Sequence, residues 1–168
     1  MDRRFKKHEL VVYGKNGVCE IEDIRKMNFF GCMEEYYILR PESTRASTVY
    51  VPVNKEILVS KMRFVMTKVQ VDEILVSVAS ETMEWIDDKG DRLEKFNSIV
   101  CSGDSKAILL LIMCLRRKSE EREAQKRQLS STDEGILKLA KELIDEEFSL
   151  ALGCPTEKVG EYIKSRIA

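Results

Sequence analysis

Apolar and polar residues alternate along the first part of the chain. Val18 to Ile24 puts Cys19 and Ile21 on one face and Glu20 and Glu22 on the other, the two-residue period of a half-buried strand. Leu10 to Tyr13 reads as a strand before it. A turn around Asn28 to Gly31 leads into a third at Glu35 to Leu39. Pro41 to Ser47 is rich in turn formers, and Thr48 to Val53 then points Val49, Val51 and Val53 inward. Strands this short and close together predict a small curled sheet or barrel, not a parallel α/β fold. Asn54 to Thr67 reads as a short helix followed by a strand.

From about Lys68 the period lengthens. Val71, Ile74, Leu75 and Val78 fall at i, i+3, i+4 and i+7, one face of a helix. Leu93, Phe96 and Val100 mark a second helix, stopped near Gly103, and Asp104 is placed to cap a third from Ser105. Ile108 to Leu115 is apolar nearly all round, as the central helix of a bundle must be, and continues into the charged stretch Arg116 to Arg127. Ser131 with Glu134 forms a capping box for a fourth helix with Ile136, Ala140, Leu143 and Ile144 facing inward, ended by Gly153 and Pro155. A last short helix holds Val159, Tyr162, Ile163 and Ile167. The chain is thus expected to be α+β, with a β-module over residues 1–66 and an all-α domain over 67–168. No repeat or low-complexity segment interrupts it.

At 43% apolar residues, 168 positions can build cores for two small domains. The longest apolar run, Ala107 to Leu115, is about half of the roughly 18 to 20 residues a membrane span requires. The basic N-terminus, Met1 to His8, meets Glu9 and a strand, not the apolar stretch of a signal peptide, so a cytoplasmic protein is expected. Five cysteines without a Cys-x-x-Cys pair read as reduced, mostly buried thiols. Charged residues make up 34% of the chain but nearly cancel, at net −1, so any DNA contact must be local or assisted by a partner.

Enzymatic chemistry finds no constellation. His8 is the single histidine, which excludes a multi-histidine metal site and a histidine-based triad. Tyr13-Gly-Lys-Asn-Gly17 lacks the spacing of a phosphate loop and joins two strands, so it reads as a hairpin turn. Acidic neighbours such as Asp87-Asp88, Glu34-Glu35 and Glu146-Glu147 diverge by about 100° on a helix and read as solvated surface. No cofactor, metal, small-molecule substrate or membrane is expected.

Leu10-Val-Val-Tyr-Gly-Lys-Asn-Gly-Val-Cys-Glu-Ile21, followed by Tyr36-Tyr-Ile-Leu39 and Val49-Tyr-Val-Pro-Val53, resembles the N-terminal module of the CarD/CdnL family, which transcription-repair coupling factor shares. A tryptophan followed by Leu93-Glu-Lys-Phe96 and Ser102-Gly-Asp104 is similar to the family's C-terminal domain. The resemblance implies a Tudor/SH3-like small β-barrel docking on the β subunit of RNA polymerase, and a helical domain touching promoter DNA at the edge of the transcription bubble. It implies a bacterial transcription regulator that stabilises the promoter open complex without covalent chemistry.

An exposed sheet edge offers unpaired backbone groups to a partner strand. The docking face implied by the resemblance includes Arg25, Met27, Phe29, Arg45 and Tyr50, although relatives can carry arginine where this chain has Met27 and Tyr50. Trp85, the only tryptophan, matches the family's wedge against the DNA fork, whereas taken alone a tryptophan is more often a core anchor. Lys89, Arg92, Arg116, Arg117 and Lys118 are the expected phosphate contacts, and Arg122, Lys126 and Arg127 extend that stretch. Pairing within a helix, such as Glu123 with Arg127, explains much of the same pattern. The flank Glu84 to Arg92 is acidic for a DNA-facing loop, which keeps open a second reading: a protein-protein adaptor docking on polymerase or another partner.

Overall fold

The computed structural model describes residues 4–167, so the first three residues of the basic N-terminal stretch lie outside it. The chain divides into two compact units, Met1–Val65 and Met66–Ala168.

In the first unit β1 (Leu10–Tyr13), β2 (Val18–Phe29), β3 (Cys32–Pro41), β4 (Val49–Pro52) and β5 (Met62–Phe64) form one antiparallel sheet. Its order is β4-β3-β2-β1-β5, which leaves β4 and β5 at the two ends. Helix α1 (Glu56–Val59) precedes β5. Tyr13 to Gly17 is a tight turn in which the Tyr13 N–H donates to the Gly17 carbonyl at 3.0 Å. Phe5, Val11, Cys19, Ile21, Tyr37 and Leu39 are the centre of the core, closed by Val51 and Met62.

β2 and β3 run further than the expected Val18 to Ile24 and Glu35 to Leu39, because the turn between them is confined to Phe30 and Gly31. Both have positive φ, 54° and 83°, the geometry of a two-residue hairpin turn that matches strand twist. Within β2, Ile21 pairs with Leu39 but Asp23 pairs with Ile38, so Glu22 is an extra residue, a β-bulge. Before it, odd-numbered residues face the core; after it, Ile24 does, opposite Tyr37.

The second unit is helical: α2 (Lys68–Ala79), α3 (Lys89–Ser102), α4 (Ser105–Ala124), α5 (Ser131–Leu152) and α6 (Thr156–Ile167). Thr67 and Gln70 form a reciprocal capping box on α2. Asp88 caps α3 by accepting from the Asp91 N–H, and Gly103 ends it in the left-handed region at φ 69°. Asp104 caps α4 as expected. The cap of α5 is Ser130, not Ser131: the Ser130 hydroxyl accepts from the Asp133 N–H, so the cap lies one residue earlier than the Ser131–Glu134 spacing suggests. The core joins Val71, Leu75 and Val78 of α2 to Phe96, Leu111, Leu115, Ile144 and Phe148. Buried Glu147 accepts from the Ser105 hydroxyl at 2.8 Å and the Met66 N–H at 3.1 Å, tying α5 to the start of α4. No described helix is long and apolar enough to cross a membrane.

The cysteines depart from the expectation. Cys19 and Cys114 are buried and Cys154 partly so, but Cys32 and Cys101 are exposed, because one sits beside the hairpin tip and the other in the last turn of α3.

Partial burial pushes the Asp145 carboxyl above its ordinary range, against the opposing pull of Lys141 and Arg116. A carboxyl with a raised folded-state pKa weighs against folding once ionised, and the effect disappears below its unfolded pKa. Asp145→Asn is therefore expected to raise the urea midpoint at pH 7 and to leave it nearly unchanged near pH 3.

Candidate functional site

The bulge at Glu22 decides what β2 presents. Beyond it, Arg25, Met27 and Phe29 pair with Tyr36, Glu34 and Cys32, and Ile38 pairs with Tyr50 of β4. Cross-strand partners share a face. All of these residues therefore lie on the face opposite the one carrying Ile21, Ile24, Tyr37 and Leu39.

On that second face three rings meet. Phe29 stands edge-on to Tyr36 at 5.0 Å between centroids and to Tyr50 at 5.4 Å, a geometry worth about 0.5–1.5 kcal/mol per pair beyond burial. Tyr50 remains 42% exposed and Phe30, in the adjoining turn, entirely so, while Met33, paired with Asn28, is 63% exposed on the opposite face. Burial and the neighbouring Glu34 carboxylate push the Tyr36 hydroxyl above the usual tyrosine range. Arg25 lies 4.0 Å from Asp23, whose carboxyl falls below its ordinary value, held first by the Ile24 N–H and then by Lys7 and Arg25.

Four of the five residues expected on a docking face, Arg25, Met27, Phe29 and Tyr50, thus share one face. Arg45 sits in the turn before β4, bonded to Glu42 at 2.9 Å. Phe30 and Met33 escaped the sequence reading because a turn and a strand end carry no burial pattern. The one signal was an aromatic residue immediately before a turn glycine, where Asn or Asp is usual. His8, the lone histidine, is exposed with Nδ1 3.0 Å from the Glu20 carboxylate.

In the helical unit Trp85 is partly buried, edge-on to Phe96 at 6.0 Å. Arg92 lies 4.6 Å from its ring centroid, Lys118 5.3 Å and Arg122 5.7 Å, so the indole packs on the core and is ringed by cations. A polar cavity of about 340 Å³ opens beside it, lined also by Arg127, Asp87 and Glu121.

Arg92 corrects the sequence expectation. It is 7% exposed: Nε and Nη2 meet the two carboxylate oxygens of buried Asp133 at 3.2 Å, and Nη1 donates to the carbonyls of Ile86 and Asp87. Four of its five N–H donors are thus directed inside the fold, so it is held as a buried structural cation and not as an exposed phosphate contact. Arg117 donates to the Met83 carbonyl at 2.8 Å, so both ends of the Trp85 segment are held by arginines. Lys118 pairs with Glu121, and Lys89 is exposed in the first turn of α3. Arg116 lines a different cleft, with α5 and α6. The separation follows from helix geometry: Arg116 and Lys118 stand about 200° apart, whereas Lys118 and Arg122, at i,i+4, share a face.

Residues 5–63 match the family model of the CarD-like/TRCF RID domain, a match lying within the first unit and covering about a third of the chain. No curated protein matches the chain.

Proposed function

From an N-terminal unit that belongs to the CarD-like/TRCF RID family, we propose that this protein is a bacterial transcription regulator that docks on the β subunit of RNA polymerase and stabilises the promoter open complex. In this reading the β-unit is a Tudor-like barrel that supplies the docking, the helical unit supplies the DNA contact, and no covalent step is catalysed. It acts in the cytoplasm, where polymerase meets promoters. The observation that carries it is the aromatic cluster of Phe29, Tyr36 and Tyr50 on one face of the sheet that matches the RID family model, with Phe30 exposed in the adjoining turn. Exposed aromatics around a semi-buried ring are the composition of a binding hot spot. Arg25, Met27 and Arg45 stand in the same role as polymerase contacts.

Trp85 acts as the wedge at the duplex fork, its indole held from behind by Phe96 and Arg92. Lys118, Arg122 and Arg127 around it are the phosphate contacts this reading favours, with Lys89 and Arg117 as neighbours and Arg116 further away. Polymerase docking raises the local concentration of the helical unit at the promoter and turns a weak DNA contact into an effectively intramolecular one. The equilibrium shifts only as far as the open complex is bound more tightly than the closed one.

The exposed acidic residues Glu84, Asp87 and Asp88 beside Trp85 favour the second reading, an adaptor whose helical unit recruits a protein. One experiment separates the two. Trp85→Ala is expected to leave polymerase affinity within about twofold while shortening open-complex lifetime about tenfold, the equivalent of 1.4 kcal/mol, with Trp85→Phe in between. An unchanged lifetime alongside intact polymerase binding assigns the helical unit to a protein partner.

A further inference from the structure

A second cleft in the helical unit lies away from Trp85. It encloses about 760 Å³ between α4, α5 and α6, with Ile112, Met113, Ile144 and Ile163 among its apolar lining. α5 packs against both other helices. The Ser105–Glu147 bond brings the start of α4 to the end of α5, and the turn at Gly153 to Pro155 sends α6 back along α5. The cations on the rim lie away from the start of α6. Arg116 of α4, Lys141 of α5 and Lys164 of α6 line the cleft with the Asp145 carboxyl among them, attracted by Lys141 and Arg116, which leaves a net positive charge there, and Glu157 and Glu161 lie where α6 begins. Among the described residues none of these three cations and two glutamates forms an ion pair within the fold.

A second observation points to an occupant. Gly160 lines the cleft in the middle of α6, where glycine weakens a helix relative to alanine. A Cβ added there would meet no atom within 4 Å, so internal packing does not require the missing side chain. A glycine that weakens its own helix and borders open space suits the close approach of another backbone.

We propose that this cleft receives one amphipathic α-helix of a protein partner, lying over Gly160 with its N-terminal end toward Glu157 and Glu161 and its C-terminal end toward Arg116, Lys141 and Lys164. The macrodipole of a helix places positive charge at its N-terminus and negative charge at its C-terminus, matching both ends of the cleft. The span from Leu109 to Arg116 or from Glu157 to Ile167 is about 10–15 Å, or two to three helical turns, enough for apolar anchors at i, i+3, i+4 and i+7. A fatty acid would satisfy the basic end but drive its hydrocarbon tail toward Glu157 and Glu161. This site is independent of the polymerase-docking reading.

The test uses the full chain and two stapled helical peptides with leucine at those four positions. One carries lysines in its first turn and glutamates in its last; the other has the charges exchanged. The first is expected to bind saturably, about tenfold tighter than its charge-exchanged twin. Gly160→Leu is expected to abolish that binding while the urea transition stays cooperative. Gly160→Ala is expected to raise the unfolding midpoint yet weaken the peptide several-fold, a divergence that a purely structural glycine does not produce. Lys141→Glu combined with Lys164→Glu should erase most of the preference between the peptides, because both ends of the cleft are then acidic. Equal binding of both peptides, binding that survives Gly160→Leu, or no binding of either overturns the proposal. So does preferential saturation of the cleft by laurate, which assigns it to lipid, or self-association abolished by Gly160→Leu, which assigns it to a second copy.

Discussion

Asp133→Ala is expected to remove about 3–5 kcal/mol from the stability of the helical unit, the usual consequence of leaving one member of a buried ion pair alone. Asp133 and Arg92 are 3% and 7% exposed, and two parallel bonds join them. The Ser130 hydroxyl donates to the same carboxylate at 2.7 Å, so the substitution also unsettles the cap of α5. What remains is a guanidinium in the interior with no counter-charge. Urea unfolding followed by tryptophan fluorescence measures the effect directly, since Trp85 is the only tryptophan and belongs to this unit. Replacing both partners, Arg92→Met with Asp133→Leu, should recover part of the loss, because neither charge is then stranded. Recovery stays incomplete, because the Ile86 and Asp87 carbonyls still lose their donor. A loss under 1 kcal/mol for Asp133→Ala shows that water reaches the pair.

The second large effect concerns docking. Phe29→Ala combined with Tyr50→Ala is expected to weaken association with RNA polymerase by about 30-fold, roughly 2 kcal/mol, the scale of a central aromatic hot spot. The cost to folding is about 1–3 kcal/mol from the two ring pairs lost, so affinity is compared at a temperature where the variant is still folded. Phe30 provides a sharper contrast. Its φ of 54° is unfavourable for a bulky side chain, and its ring is fully exposed. Phe30→Gly should therefore steady the hairpin while weakening polymerase binding. Isothermal titration against purified polymerase, with thermal unfolding of each variant, reads both quantities. Equal affinity of the double variant and the native chain removes the second face of the sheet from the interface.

Much of this architecture is written in the periodicities. The two-residue alternation around Cys19 and Ile21 and the helical spacing of Val71, Leu75 and Val78 each mark residues that are buried. Asp104, Gly103 and Gly153 mark helix ends because capping chemistry is local. What stayed hidden depends on partners remote in sequence. Arg92 reads as a surface cation until Asp133 is brought to it, and the charged run from Arg116 separates into different faces only once α5 and α6 lie against α4. Alternation continued past Ile21 would have turned Arg25, Met27 and Phe29 into the core. The residue that prevents this is recognisable only from the register with β3.

For the comparison of related chains, that extra residue tells an alignment where a gap belongs. Deleting Glu22 would regularise β2 and leave Asp23 opposite Ile38 and Phe29 opposite Cys32, at the expense of a half-exposed Arg40 contact. Deleting Lys26 or Asn28 would instead change which residues share a side with Tyr50. Relatives one residue shorter in this strand are therefore structurally equivalent only when the missing position is aligned to the bulge, and a gap assigned further along would give Met27 and Phe29 false counterparts.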